Sequence, residues 1–271
     1  MNTANTAVLD ADTDAAVLLR EDRGGARILT LNRPRQRNAL SDELIAVLHD
    51  ALLDAGKDAT VRAVIIAANG PVFCAGHDLR EVRAKQNADE YRDLFSRCSE
   101  MMLAITRISK PVIAAVQGTA TAAGCQLAAS CDLAVAAEDA KFATPGVHIG
   151  LFCSTPMVPL SRNIGRKQAM QMLLLGEPLD AAAAKNAGLV NEIAPVSELL
   201  ARSLHWAEML AAKSPLTLSI GKEAFYRQLD MSLEDAYAYA GEVMVDNMMK
   251  QDAQEGIGAF IEKRPPVWQN K

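Results

Sequence analysis

The chain has 271 residues, half of them hydrophobic and 23% charged, with 28 lysines and arginines against 33 aspartates and glutamates and a net charge of −5. This length supports one substantial core, the composition excludes disorder, collagen and mucin-like stalks, and the lack of a basic surplus argues against nucleic acid as a partner. Five cysteines without a C-x-x-C pair and four dispersed histidines read as reduced thiols of a cytosolic protein with no metal-ligand spacing.

Residues 1–14 read as a flexible acidic arm with no apolar run or arginine cluster of a targeting signal. From Ala15 the stretches "AVLLRE" and "ARILTLN" flank Arg23-Gly24-Gly25 and predict a hairpin. Ser41 is placed to cap a helix whose apolar stripe is Leu44, Ile45, Leu48 and Leu52. The run "VRAVIIAA" predicts a buried strand ending at Asn69-Gly70-Pro71, and "PVFCAGHDL" a loop. A polar helical region follows from about Asp89 to Ile108. Pro111 then opens another buried strand, "VIAAVQG". The stretch Pro111–Ser130 is nearly uncharged but is broken by glycines and glutamines, so it predicts a strand and a helix rather than a membrane span. "DLAVAAEDAKF" supplies a further strand, and "ATPGVHIGLFCSTPMVPL" reads as a loop. The last third is mostly helical, over 169–175, 181–187, 197–213, 215–228 and, with breaks, 232–263. Neither a G-x-G-x-x-G turn nor a phosphate-binding G-x-x-x-x-G-K-[ST] loop is present.

The run "TATAAGCQLAASCD" (119–132) joins a strand to a helix through small residues. Two readings stay open on this stretch alone. Small residues permit tight packing of helix on strand, or they let a ligand approach the N–H groups of a first helical turn, which have no intrahelical acceptor. "FCAGHDL" also follows a buried strand and sets small residues before a polar pair. Two strand ends giving one N–H each would form an oxyanion hole.

Together "LNRPRQRNAL", "FCAGHDL", the segment from Lys110 to Leu151 and "GIGAFIEKRPP" resemble the successive motifs of the crotonase, or enoyl-CoA hydratase/isomerase, superfamily. The likeness runs from about Ala15 to Trp268 and is closest to the branch of enoyl-CoA hydratase domain-containing proteins. It implies an α/β core (15–205) of repeated ββα units wound into a superhelix, then a C-terminal helical segment (206–271) that packs between subunits of a homotrimer or dimer of trimers. It implies an acyl-CoA or enoyl-CoA ligand bound as substrate, with no resident cofactor, nucleic acid or membrane partner. By position, it implies oxyanion donors at the His77 and Ala123 N–H groups and a CoA-binding set of Arg35, Ala75, Asp78, Leu79, Arg80 and Lys263. The absence of a targeting pattern favours a bacterial cytoplasmic member.

The sequence departs from the pattern where the family's hydratases carry two glutamates. Those positions here are Gln126 and Gly146. An amide can hold a water but cannot take its proton near neutral pH, and glycine offers no side chain. His148, two residues beyond Gly146, is a candidate substitute, since an ordinary imidazole titrates near neutral pH. Cys125 reads as a small buried hydrophobe and Cys153 as a thiol with no visible base. The sequence therefore predicts a thioester-binding protein, nominally a hydratase acting through an oxyanion hole. The alternatives are a non-catalytic acyl-CoA binder or regulatory subunit, or another thioester reaction such as isomerisation or thioester hydrolysis.

Overall fold

The computed structural model describes residues 16–271; the arm expected over 1–14 lies outside them. Strands β1 (Leu18–Arg23) and β2 (Ala26–Leu31) form the expected hairpin, paired from Leu18 with Leu31 to Arg23 with Ala26. Helix α1 (Asp42–Lys57) starts where the Ser41 hydroxyl accepts the Leu44 N–H at 3.1 Å, satisfying one of the donors that a first turn leaves open.

Three pairs of one longer and one shorter strand follow. The first is β3 (Ala63–Ala68) and β4 (Val72–Cys74), then α2 (Leu79–Ala84) and α3 (Ala88–Arg107). The second is β5 (Val112–Val116) and β6 (Thr119–Thr121), then α4 (Ala123–Ser130). The third is β7 (Leu133–Ala137) and β8 (Lys141–Ala143), then a 3-10 turn (Pro145–Ile149) and α5 (Met157–Asn163). Helix α6 (Arg166–Leu175), β9 (Leu179–Asp180), α7 (Ala181–Ala187) and β10 (Glu192–Ala194) complete this part. Four helices end the chain: α8 (Leu199–Ala211), α9 (Pro215–Gln228), α10 (Leu233–Met248) and α11 (Gln251–Glu262).

The longer strands build one sheet in the order β1-β2-β3-β5-β7-β10, parallel from β2 onward, and the shorter ones a second in the order β4-β6-β8-β9. Each ββα unit thus adds one strand to both sheets, and the chain advances as a superhelix. The second sheet is the main departure from the sequence reading, which saw a loop at 71–79. A strand of three residues is too short to display an alternating pattern. Likewise α5 lies in a stretch read as loop, with Pro159 inside it.

Alternate residues of the large sheet face two cores. Leu29, Leu31, Val64, Ile66, Val112, Ala114 and Val116 join the larger one with α1 and α3. Ile28, Ala63, Ile65, Ile113, Ala115 and Val135 face Leu199 and Ala207 of α8. The boundary expected between residues 205 and 206 therefore falls within α8, a helix that covers the back of the sheet.

Helix α9 is fastened by a buried charge. The Lys222 ammonium donates to the carbonyls of Ile105 and Lys110 at 2.7 and 2.8 Å and to Asp132 Oδ2 at 2.7 Å. Asp132 also accepts the Val112 N–H at 2.7 Å and the Tyr226 hydroxyl at 2.8 Å. All three ammonium protons are used, which offsets the cost of removing the charge from water; deleting one partner leaves the other stranded. Lys222→Met is expected to lower unfolding stability by about 3–5 kcal/mol in urea denaturation; a loss under about 1 kcal/mol would show that the contact is made in a solvated setting.

Candidate active site

The end of β4 brings the first loop to the site. The Ala75 N–H donates to the Arg37 carbonyl at 3.1 Å. Gly76, at φ 92, takes a backbone conformation that side chains disfavour. A parallel bridge joins Leu40 and His77. Its bonds run from Leu40 N–H to the Gly76 carbonyl (2.8 Å) and from Asp78 N–H to the Leu40 carbonyl (3.0 Å). In a bridge of this register the central residue's own N–H points to the opposite side, and no described residue accepts the His77 N–H. Asp78 then caps α2, accepting the Arg80 N–H at 3.1 Å, and pairs with Arg33 at 3.0 Å.

The second loop comes from β6. Ala122 sits at φ 50, ψ −119, a positive φ that costs an alanine energy. Its N–H donates to the Ala143 carbonyl at 2.9 Å, which pins the turn. Ala123 is then the first residue of α4. Its N–H precedes the helical ladder and has no side-chain cap. The two loops touch. A Cβ on Gly76 would lie 2.9 Å from the Ala122 Cβ and 3.3 Å from the Ala123 nitrogen, and one on Gly124 would lie 2.0 Å from the Cys74 carbonyl oxygen. Two backbone donors without acceptors thus come from neighbouring strand ends.

Around them lie polar atoms with no partner. Gln126 is 4% exposed and its Oε1 accepts nothing; Thr144 Oγ1 and His77 Nε2 are likewise buried and unpaired. The His77 ring stands edge-on to Phe95 at 5.5 Å. Burial lowers its pKa below the ordinary 6.5, against a smaller opposing pull from Asp42. Gly146 is buried, and its surroundings are full. A Cβ there would meet the Leu151 carbonyl oxygen at 2.8 Å and Cys153 Sγ at 2.9 Å. Burial pushes the Cys153 thiol up, while the Gly146 N–H bonded to it pulls the other way. The Cys125 thiol is pushed up to about 12 by burial. Both are neutral thiols at physiological pH, which removes them as thiolate nucleophiles.

Not every sequence candidate is gathered here. His148 is exposed, with its Nε2 3.0 Å from the Leu175 carbonyl at the end of α6. The expectation that it replaces a missing glutamate is corrected on that ground, because the 3-10 turn directs its ring outward. Leu79 and Arg80 are exposed on α2, and Arg35 is exposed in the 3-10 turn Pro34–Gln36. Lys263 ends α11, which packs mainly on α9 and α10, so neighbouring strand ends do not bring it to His77. Glu81 accepts the Asp42 N–H at 2.7 Å at the start of α1. The sequence reading missed Thr144, which lies in a stretch read as a loop and is fully buried with its hydroxyl unpaired.

Comparison with known proteins gives the class. The enoyl-CoA hydratase/isomerase family model matches residues 21–271, and the chain belongs to that family, whose members bind acyl-CoA small molecules. It is 46% identical to the mitochondrial enoyl-CoA hydratase domain-containing protein 3 of Danio rerio over 94% of this chain and 89% of the relative. The Homo sapiens counterpart is 44% identical over 91% and 82% of the two chains. A crystal structure of an enoyl-CoA hydratase from Mycobacterium smegmatis superposes at TM-score 0.91 with 49% identity, covering 94% of this chain and 99% of the other. That of the human domain-containing protein 3 superposes at 0.90 with 43% identity, covering 93% and 100%. The fold is therefore the crotonase fold. The expectation of a bacterial cytoplasmic protein is overturned by the animal relatives, which are mitochondrial proteins.

Because burial depresses the His77 pKa, the folded chain keeps this imidazole neutral where the unfolded chain is already protonated. Stability is thus full above the ordinary pKa of 6.5 and falls as pH drops through the lowered one. Melting temperatures between about pH 7.5 and 5 are expected to fall for the parent and to fall less for His77→Gln. Parallel curves would show that the ring is solvated.

Proposed function

We propose that the chain binds an acyl-CoA thioester with the carbonyl oxygen between the His77 and Ala123 N–H groups, and polarises it toward an enolate. The observation that carries this reading is the pair of acceptor-free backbone donors on two touching loops. Charge developing on the oxygen would be stabilised by dipoles already in place, at roughly 3–4 kcal/mol per well-aimed donor. Ala123 adds the positive end of α4.

Hydration demands more. A water must lose a proton to a base while the α-carbon gains one, and such groups are typically worth about 10² to 10⁴ each. Gln126 can orient a water but not deprotonate it, and Gly146 contributes no side chain. The nearby acidic residues have other tasks, with Asp78 bound to Arg33 and Glu81 to the first turn of α1. The reading is a thioester-polarising site in which water activation is weak.

A non-catalytic acyl-CoA binder is a second reading, favoured by the filled space at Gly146. The Leu151 carbonyl and the Cys153 thiol occupy the ground where a side chain would start, so the position is built over rather than merely emptied. Loss of conjugation in a panel of enoyl-CoAs separates the two. The parent is expected to hydrate crotonyl-CoA slowly, and Gln126→Glu to raise that rate at least tenfold. If the rate is high in the parent and unchanged by Gln126→Glu, the proton chemistry assigned here is wrong. If the parent binds thioesters yet shows no turnover above His77→Pro, which deletes one donor, the binder reading holds.

We also infer self-association, as a homotrimer or a dimer of trimers. Large apolar side chains are exposed along the C-terminal helices, among them Leu233, Tyr237, Met249, Phe260 and Ile261, and exposed apolar surface of this kind marks interaction sites where it is contiguous. Sedimentation velocity is expected to give three or six copies; a monomer at micromolar concentration would refute this.

A further inference from the structure

The peptide that carries the His77 N–H is not held by its neighbours in the chain. Gly76 precedes it at φ 92, and glycine restrains rotation less than any other residue. Helix α2, which starts at Leu79, buries none of its residues. Of its side chains Val82 packs against the core, and only partly buried. The direction of the donor is therefore set from elsewhere.

Residues 33–41 run alongside and supply that hold. A trans peptide sets its C=O and N–H on opposite sides, so the bond from the Leu40 N–H to the Gly76 carbonyl (2.8 Å) turns the His77 N–H away from Leu40. Whatever fixes Leu40 against Gly76 thus aims the donor. Two side chains do so. Asn38, 0% exposed, uses its whole amide: Oδ1 accepts the Arg33 N–H at 2.9 Å, and Nδ2 donates to the carbonyls of Asn69 at 2.8 Å and Val72 at 2.7 Å. The Arg33 carbonyl accepts the Asn38 N–H at 2.9 Å. The 33–38 turn is in this way closed on itself and moored to the β3–β4 pair that delivers His77. From this base the Arg33 guanidinium reaches across the bridge. Its Nη1 donates to the Ala39 carbonyl, just before Leu40, and its Nη2 to Asp78 Oδ2 at 3.0 Å, just after His77. One fork spans both chains of the Leu40–His77 pair.

We propose that Arg33 is a positioning residue for the His77 donor, bracing the backbone on both sides of the bridge so that the N–H is aimed before a ligand arrives. This rests on the thioester reading above. Arg33 acts through Ala39 and Asp78, and Asn38 holds Arg33 in place. A planar guanidinium with fixed N–H directions can bond two acceptors at a set angle, whereas a lysine ammonium is a point charge on a flexible stem. A backbone donor stabilises a developing oxyanion through a direction that is already set. Loosening the fork therefore weakens polarisation of the bound carbonyl and leaves the rest of the ligand's contacts in place.

The test is spectroscopic. The full chain is saturated with dimethylaminocinnamoyl-CoA, a thioester whose absorption moves to the red as its carbonyl is polarised. The parent is expected to shift the bound probe to the red. Arg33→Lys, which keeps the charge and gives up the fork, is expected to lose about half of that shift, since the Ala123 donor remains, while binding CoA itself within about threefold of the parent. Should Arg33→Lys not fold, Asp78→Ser carries the same test, because serine retains a cap for α2 and removes the carboxylate that Arg33 grips. A full shift in the variant overturns the proposal and leaves the thioester site standing. A lost shift accompanied by an equal loss of CoA binding marks general damage to the site and overturns it too. A parent that binds the probe with no red shift overturns the thioester reading along with it.

Discussion

The site depends on one close approach. Helix α4 can start against the end of β4 because Gly124 has no side chain where the Cys74 carbonyl oxygen passes, 2.0 Å from where a Cβ would stand. That contact brings the Ala123 N–H beside the turn that frees the His77 N–H. The donors come from different ββα units, so their separation is set by the stacking of two turns of the superhelix rather than by local loop geometry. Parallel sheets on rigid hydrogen-bonded ladders are well suited to hold such a distance. The strain at Ala122 belongs to the same arrangement. Its positive φ reverses the chain between β6 and α4, and its N–H, fixed on Ala143, ties in the third unit.

The lower part of the molecule shows how this stacking is kept rigid. The large sheet is buried on both faces, with α8 closing the back. Lys222 reaches from α9 to the end of α3, the turn before β5 and the aspartate that follows α4. An ammonium with all its protons placed is directional in a way that apolar packing is not. Its three acceptors belong to segments on either side of the second unit, and so the C-terminal helices are registered to the part of the core that carries Ala123.

Much of this architecture was legible from sequence because it is written locally. Ser41 ahead of an apolar stripe marked α1, Gly24-Gly25 marked the hairpin, and "AVIIAA" marked a buried strand. The second sheet was not legible, since β4, β6 and β8 are three residues each and are strands only by virtue of one another. For the site, motif order pointed to His77, Ala123 and Gln126, but it carried no direction. His148 is close to Gly146 in sequence and faces away from it, held by a carbonyl of α6. Thr144 lay unremarked in a stretch read as a loop, and only the structure shows it buried with its hydroxyl unpaired. Gly146 itself looked like an empty place in a catalytic pair, whereas the following loop has closed over it.

That packing couples three positions, 146, 151 and 153. A side chain entering at position 146 would meet the Leu151 carbonyl at 2.8 Å and the Cys153 sulfur at 2.9 Å, so it could be seated only if that loop shifted. Carboxylates at both 126 and 146 would therefore require the backbone of 151–153 to be reset together with the side chains. The packing of one loop, rather than the identity of one side chain, is thus what decides which groups position 146 can present.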